Sequence, residues 1–62
     1  MKCVIEIAMD NAAFEDNGPA QELYEILKKL MAKLEMSDVS EGLYIKAFDS
    51  NGNRVGELEI LT

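Results

Sequence analysis

Histidine and tryptophan are absent from this chain, and it has one cysteine, one proline and no long apolar run. Without histidine, the usual base for activating a thiol or hydroxyl nucleophile is missing. A single cysteine forms no internal disulfide, whereas secreted domains this small usually depend on several. Apolar runs of a few residues are too short to span a membrane. The segment Met1-Lys2-Cys3-Val4-Ile5-Glu6 meets an acid too early for the apolar stretch of a signal peptide. Together these absences predict a cytoplasmic protein. Bases are also scarce: six Lys and Arg face twelve Asp and Glu, for a net charge of −6. Direct nucleic-acid binding rests on Lys and Arg neutralising phosphates, and an anionic membrane surface selects the same residues. An acidic chain is matched instead to a basic protein partner.

What is present reads as a folded domain. Sixty-two residues allow one domain, residues 1–62, with one small core. At this size burial and ordering entropy nearly cancel, so marginal stability or help from self-association is expected. Hydrophobic residues make up 48% of the chain and the mean hydropathy is −0.07, which separates it from a disordered acidic tail.

The segment Phe48-Asp49-Ser50-Asn51-Gly52-Asn53-Arg54-Val55 carries the strongest local signal. Asn-Gly between two alternating segments predicts a hairpin, with φ > 0 at both residues of a type I′ turn. That turn sets a register: Ser50 faces Asn53, Phe48 faces Val55, Lys46 faces Glu57, Ile45 faces Leu58, Tyr44 faces Glu59 and Leu43 faces Ile60. One face then carries Leu43, Ile45, Ala47, Gly56, Leu58 and Ile60, a core face. The other carries Tyr44, Lys46, Phe48, Val55, Glu57 and Glu59, half apolar where water is expected.

Residues 2–9 alternate as a strand, with Cys3, Ile5, Ile7 and Met9 on the core face and Val4, Glu6 and Ala8 on the wetter one. Residues 10–18 read as a connection rich in turn formers, with Phe14 closing one end of the core. Gly18-Pro19 opens a helix, since proline suits the first helical position, with Gly18 or Asn17 as cap. Leu23, Ile26, Leu27, Leu30 and Leu34 form its apolar stripe, with Ala20, Tyr24 and Met31 beside it. Glu25 and Lys29 have the spacing of a favourable i, i+4 pair. Met36-Ser37-Asp38 ends the helix, and Gly42 precedes the next strand. The expected fold is α+β: a βαββ chain with one helix packed on a three-stranded, mainly antiparallel sheet. The first strand is placed beside the last, because an antiparallel sheet tolerates the solvated face that a single helix must leave.

Chemistry is not visible. Cys3 reads as a small buried hydrophobe. The Asp10-Asn11 and Glu15-Asp16 pairs lack the glycine turn of a calcium loop, and Asp49-Ser50-Asn51-Gly52 lacks its closing ligand. No cofactor, no metal and no enzymatic activity are expected, and so small a core leaves no room for a substantial cleft. Two surfaces remain as partner-binding candidates. One is the uncovered sheet face with Tyr44, Phe48, Glu57 and Glu59, where aromatics are rimmed by charge. The other is the acidic connection with Asp10, Glu15 and Asp16, seconded by Asp38 and Glu41.

The segments Ile5-Glu6-Ile7, Asp10-Asn11-Ala12-Ala13-Phe14-Glu15-Asp16, Glu22-Leu23 with Leu27, and Asn51-Gly52-Asn53-Arg54-Val55-Gly56 resemble a group of short phage and prophage proteins. The resemblance runs over most of the chain and implies a phage or mobile-element origin, with life in a host bacterial cell. It brings no catalytic or ligand residue. In size and charge the chain is similar in kind to small acidic anti-CRISPR proteins, many of which bind effector complexes and block target DNA. The function this implies is a non-catalytic inhibitor that binds a basic, nucleic-acid-handling bacterial protein, a CRISPR effector complex being the example, and occludes its DNA site. The alternative is an assembly module that dimerises through the open sheet face.

Overall fold

A computed structural model describes all residues, 1–62. The elements run β1 (Lys2–Ile7), α1 (Ala12–Asn17), α2 (Pro19–Glu35), β2 (Tyr44–Phe48) and β3 (Arg54–Leu61). The three strands form one antiparallel sheet in the order β1-β3-β2. The α+β class, the sheet and its strand order agree with the sequence. The connection expected over residues 10–18 instead contains α1, which starts where Phe14 N–H donates to the Asn11 carbonyl at 3.0 Å. The first strand also stops at Ile7, two residues short of the expected end. The wound segment lets Ala13 and Phe14 bury together, both under 3% exposed.

Helix α2 begins on Pro19 with Gly18 as its cap, and Glu22 in its first turn and Lys33 in its last complement the helix dipole. Ser37 Oγ donates to the Lys33 carbonyl at 2.8 Å and helps close the far end. Glu25 does not pair with Lys29; it accepts from Gln21 Nε2 at 3.1 Å. The helix rests chiefly on β2. Ile26 and Leu30, with Ile45, Ala47, Val55, Leu58, Ile60 and Phe14, make the core. Leu23, Leu27 and Leu34 pack against it while only half-buried.

The hairpin departs from the type I′ expectation. No residue other than glycine has positive φ, so Asn51 is not in the left-handed region, whereas Gly52 is, at +84°. Asp49 N–H donates to the Asn53 carbonyl at 2.9 Å and Gly52 N–H to the Asp49 carbonyl at 3.0 Å. The loop is therefore Ser50-Asn51-Gly52, a turn closed by a left-handed glycine. Asp49, not Ser50, stands opposite Asn53. The chain regains the expected register through a bulge: Phe48 pairs with Arg54, Ala47 with Gly56, and Val55 is the extra residue between them. Ile45–Leu58, Lys46–Glu57 and Tyr44–Glu59 then pair as the alternation requires.

Candidate interaction surfaces

The sheet face away from the helices is uncovered. Its rows read Val4–Glu59–Tyr44 and Glu6–Glu57–Lys46 across β1, β3 and β2. Glu6 stands directly opposite Glu57, and these two with Val4 and Glu59 line a shallow depression. Glu57 meets Arg54 Nη2 at 3.6 Å, the only ion pair in the molecule, and accepts a long bond from the Tyr44 hydroxyl at 3.4 Å. Arg54 also donates to that hydroxyl and stacks over the Tyr44 ring at 5.6 Å. Tyr44 is thus held within an Arg54–Glu57 cluster, while Glu6 and Glu59 have no cationic partner.

The expected apolar patch on this face is divided. Val55, placed there by the simple register, is turned by the bulge and buried. Phe48 sits at the outer edge of β2. Its ring lies under Lys33 Nζ at 5.4 Å, and it shares a narrow crevice with Ile26, Lys29 and Leu30. Tyr44 and Phe48 remain 45% and 38% exposed, but charge-bearing side chains reach over both rings.

The acids expected before the helix are exposed on and around α1. Asp10 and Glu15 line one shallow hollow with Met9, Asn11, Phe14 and Pro19, and Asp16 follows on the next position of α1. Asp38 and Glu41 are exposed in the connection between α2 and β2, at the other end of α2, where Glu41 accepts from Thr62 Oγ1 at 3.3 Å.

Two further carboxylates are buried, a feature the sequence reading missed. Glu22 and Asp49 are 1% and 2% exposed. Glu22 accepts from Ser50 N–H at 2.8 Å, Ser50 Oγ at 2.8 Å and Asn17 Nδ2 at 2.9 Å. Asp49 accepts from Asn53 N–H at 2.8 Å, Asn51 N–H at 3.0 Å and Asn11 Nδ2 at 3.0 Å. Hydrogen bonds to the charged form hold both below the ordinary carboxylate range: the Asn17 amide contributes most at Glu22 and the Asn11 amide most at Asp49, against the opposing effect of burial. Every buried polar side-chain atom has a partner. The pair clasps the hairpin tip to α1 and the start of α2, a structural task. Asp49-Ser50-Asn51-Gly52 carried the signal, since an Asp that bonds backbone N–H groups two residues on is ordinary turn chemistry. No three Cys, Asp or Glu side chains come together as a metal-binding group.

The largest departure from expectation is at β1. Cys3, Ile5 and Ile7 do share the helix-side face, opposite Ile60, Leu58 and Gly56. Yet Cys3 is exposed, Ile5 is 46% exposed and Met9 41%. Helix α2 lies too far toward β2 to cover them. Lys29 and Lys33 look over the outer side of β2. The opposite flank of α2, with Tyr24, Leu27 and Met31, therefore overhangs the β1 side, where Tyr24 and Met31 are 58% and 67% exposed. The apolar sector of the helix is wider than the surface the sheet offers it. Width of that sector, rather than its mere presence, was the sequence signal for an incompletely covered strand.

No helix is long and apolar enough to cross a membrane. No family model, no curated protein and no solved structure matches the chain.

Proposed function

We propose that the protein is a non-catalytic binding module that presents its acidic sheet face to a basic site on a protein partner. The partner class is a bacterial nucleic-acid-handling complex, such as a CRISPR effector, whose DNA-binding site the carboxylates occupy in place of phosphates. One observation carries this reading: Glu6 opposes Glu57, with Glu59 one row away, on a face no part of the chain covers. Like charges directly opposed across strands weaken a sheet. The arrangement does nothing for the fold and suits a cationic surface arriving from outside. Electrostatics of this kind speed encounter and set specificity. The exposed acids Asp10, Glu15 and Asp16 extend the negative field beyond the sheet.

The same observation disfavours the alternative dimer stacked through this face, since each copy would bring its unpaired glutamates against those of the other. The test is inhibition of DNA binding by a panel of purified CRISPR effectors, read by gel shift at low and high salt. Wild type should inhibit at least one effector, less so as salt rises. Glu6→Gln with Glu59→Gln should weaken inhibition and leave the melting point nearly unchanged. The triple change Asp10→Asn, Glu15→Gln, Asp16→Asn measures the share of the α1 acids. A panel that wild type leaves wholly unaffected removes the reading.

A further inference from the structure

The outer edge of β1 is the least protected element of the molecule. β1 is a terminal strand of the sheet, and only Ile7 at its end packs against the core; Lys2–Glu6 are exposed on both faces. The other terminal strand, β2, is guarded: α2 packs on it, and Lys29, Lys33 and Lys46 crowd its outer side. Lysines over an edge are a usual means of preventing strand addition. β1 has no such guard on its outer side beyond Lys2. Its hydrogen-bonding groups can be assigned by alternation. Ala8 N–H donates to the Val55 carbonyl, so even-numbered residues of β1 bond to β3, and Cys3, Ile5 and Ile7 direct their N–H and C=O groups outward.

We propose that this edge pairs with β1 of a second copy, antiparallel about a two-fold axis at Val4, giving a continuous six-stranded sheet. A two-fold axis normal to the sheet requires residues of the same face to oppose one another. Centred on Val4, the pairing sets Val4 against Val4, Cys3 against Ile5 of the second copy, and Lys2 against Glu6 of the second copy, each contact occurring twice. The outward bonds then run between Cys3 and Ile5, the residues whose groups point out. Lys2 and Glu6 lie on the open face with Val4, two residues to either side of it, so the strand is self-complementary in charge. Centred on Ile5, the pairing sets Glu6 against Val4 and Lys2 against Ala8, and no charge is matched. Charge therefore selects both the occupant and the register. It also supplies Glu6 with the cation it lacks within one chain. On the helix side the two half-covered strips join into one trough, floored by Cys3 and Ile5 of both copies. The proposal shares Glu6 with the acidic-face reading, but its readout is mass in solution and not inhibition of a partner, so either can fail without the other.

Sedimentation velocity over a concentration series is the primary test. Wild type should pass from monomer to dimer as concentration rises. Lys2→Glu sets Glu against Glu at both symmetric contacts, and Glu6→Lys sets Lys against Lys. Each should weaken the dimer by about tenfold at low salt. The double swap Lys2→Glu with Glu6→Lys restores both contacts and should return the dissociation constant to within about threefold of wild type. Register is read separately by crosslinking in a Cys3→Ser background. Val4→Cys should form an intermolecular disulfide on mild oxidation, because a non-hydrogen-bonded antiparallel pair places Cα atoms about 4.5 Å apart. Ile5→Cys should not, since its symmetry mate is displaced by two residues. Circular dichroism checks that each variant is folded. A wild-type protein that stays monomeric to about millimolar concentration, near the weak limit of specific association, overturns the proposal. A dimer indifferent to the charge changes, or one crosslinked through Ile5→Cys rather than Val4→Cys, overturns it equally.

Discussion

Replacing Gly56 by alanine asks whether β1 is held as closely as its register requires. A Cβ on Gly56 would stand 1.9 Å from the Glu6 carbonyl oxygen and 2.9 Å from the Ile7 Cα. Both are backbone atoms, so no side-chain rotation relieves the clash. Contacts of a real Cβ stay above 3.0 Å, which means that β1 and β3 must part locally by about 1 Å. The nearby bond from Ala8 N–H to the Val55 carbonyl measures 2.8 Å. Stretched by about 1 Å, it leaves the useful range of an N–H···O bond. Losing that bond and one neighbour removes about 1–3 kcal/mol, at roughly 0.5–1.5 kcal/mol each. In a domain of this size one kcal/mol moves the midpoint by roughly 4–8 °C, so Gly56→Ala should lower Tm by about 5–20 °C. Thermal melting gives the midpoint, and amide exchange should show the ladder amides of Val4, Glu6 and Ala8 losing protection before those of Ile26 and Leu30. A midpoint within about 2 °C of wild type, with β1 amides still protected, refutes the close approach.

Ile26→Ala should cost about 2–5 kcal/mol in urea unfolding, and Leu27→Ala distinctly less, because Ile26 is sealed in the core while Leu27 is only half-buried. Gly52→Ala should destabilise by about 1–2 kcal/mol through backbone strain alone, since open space surrounds its Cβ position, and Gly52→Asn should cost less. Glu22 and Asp49 have lowered folded-state pKa values, so the stability they contribute is complete above the unfolded carboxylate range and is lost as pH falls through the lowered values. Urea midpoints should therefore decline in acid below about pH 4, and Glu22→Gln should flatten that decline. Cys3 should react with a thiol reagent in the native protein at nearly the rate of a free thiol, as its exposure requires; slow, unfolding-limited labelling would contradict the position of β1.

Alternation and periodicity were enough to read the apolar stripe of α2 and the pairs Tyr44–Glu59, Lys46–Glu57 and Ile45–Leu58. Each rests on a repeat that extends over several residues, so one local exception does not change it. The start of α2 at Pro19, the burial of Phe14 and the strand order rest instead on single signals: a proline at the first helical position, the one large apolar side chain of its connection, and the open face that one helix must leave. The misreadings within the hairpin come from single-residue events. A three-residue loop in place of a two-residue turn moved the partner of Ser50, and the bulge at Val55 moved Phe48. The two changes cancel further along the strands, which is why the outer register survived. Phe48 and Val55, counted as a surface patch, lay within that interval. The candidate acids Asp10, Glu15, Asp16, Glu57 and Glu59 were legible as exposed or partly exposed groups, because charge without a burial partner stays in water. Cys3 was misplaced for a different reason. Alternation states which face a residue is on, and only the tertiary position of α2 states whether that face is covered.

The placement of α2 also links stability to association. Of the chain's buried residues, none lies on β1. That strand is retained by its ladder to β3 and by the close fit at Gly56, with little apolar burial of its own. The hairpin, by contrast, is tied at its tip to the helices by Ser50 N–H and Oγ donating to Glu22 and by Asn11 donating to Asp49, and it buries Ile45, Ala47, Val55, Leu58 and Ile60. Segments with few buried contacts open first, at free energies well below that of global unfolding. β1 is therefore the part of the fold with most to gain from anything that binds it, and it carries both Glu6 of the acidic face and the unpaired outer edge. A partner on either surface adds its binding free energy to the weakest element first. Protection of the β1 amides should rise with protein concentration if the second copy is the ligand, and on addition of a basic partner if the acidic face is engaged, while the amides of Ile26 and Leu30 change little in either case.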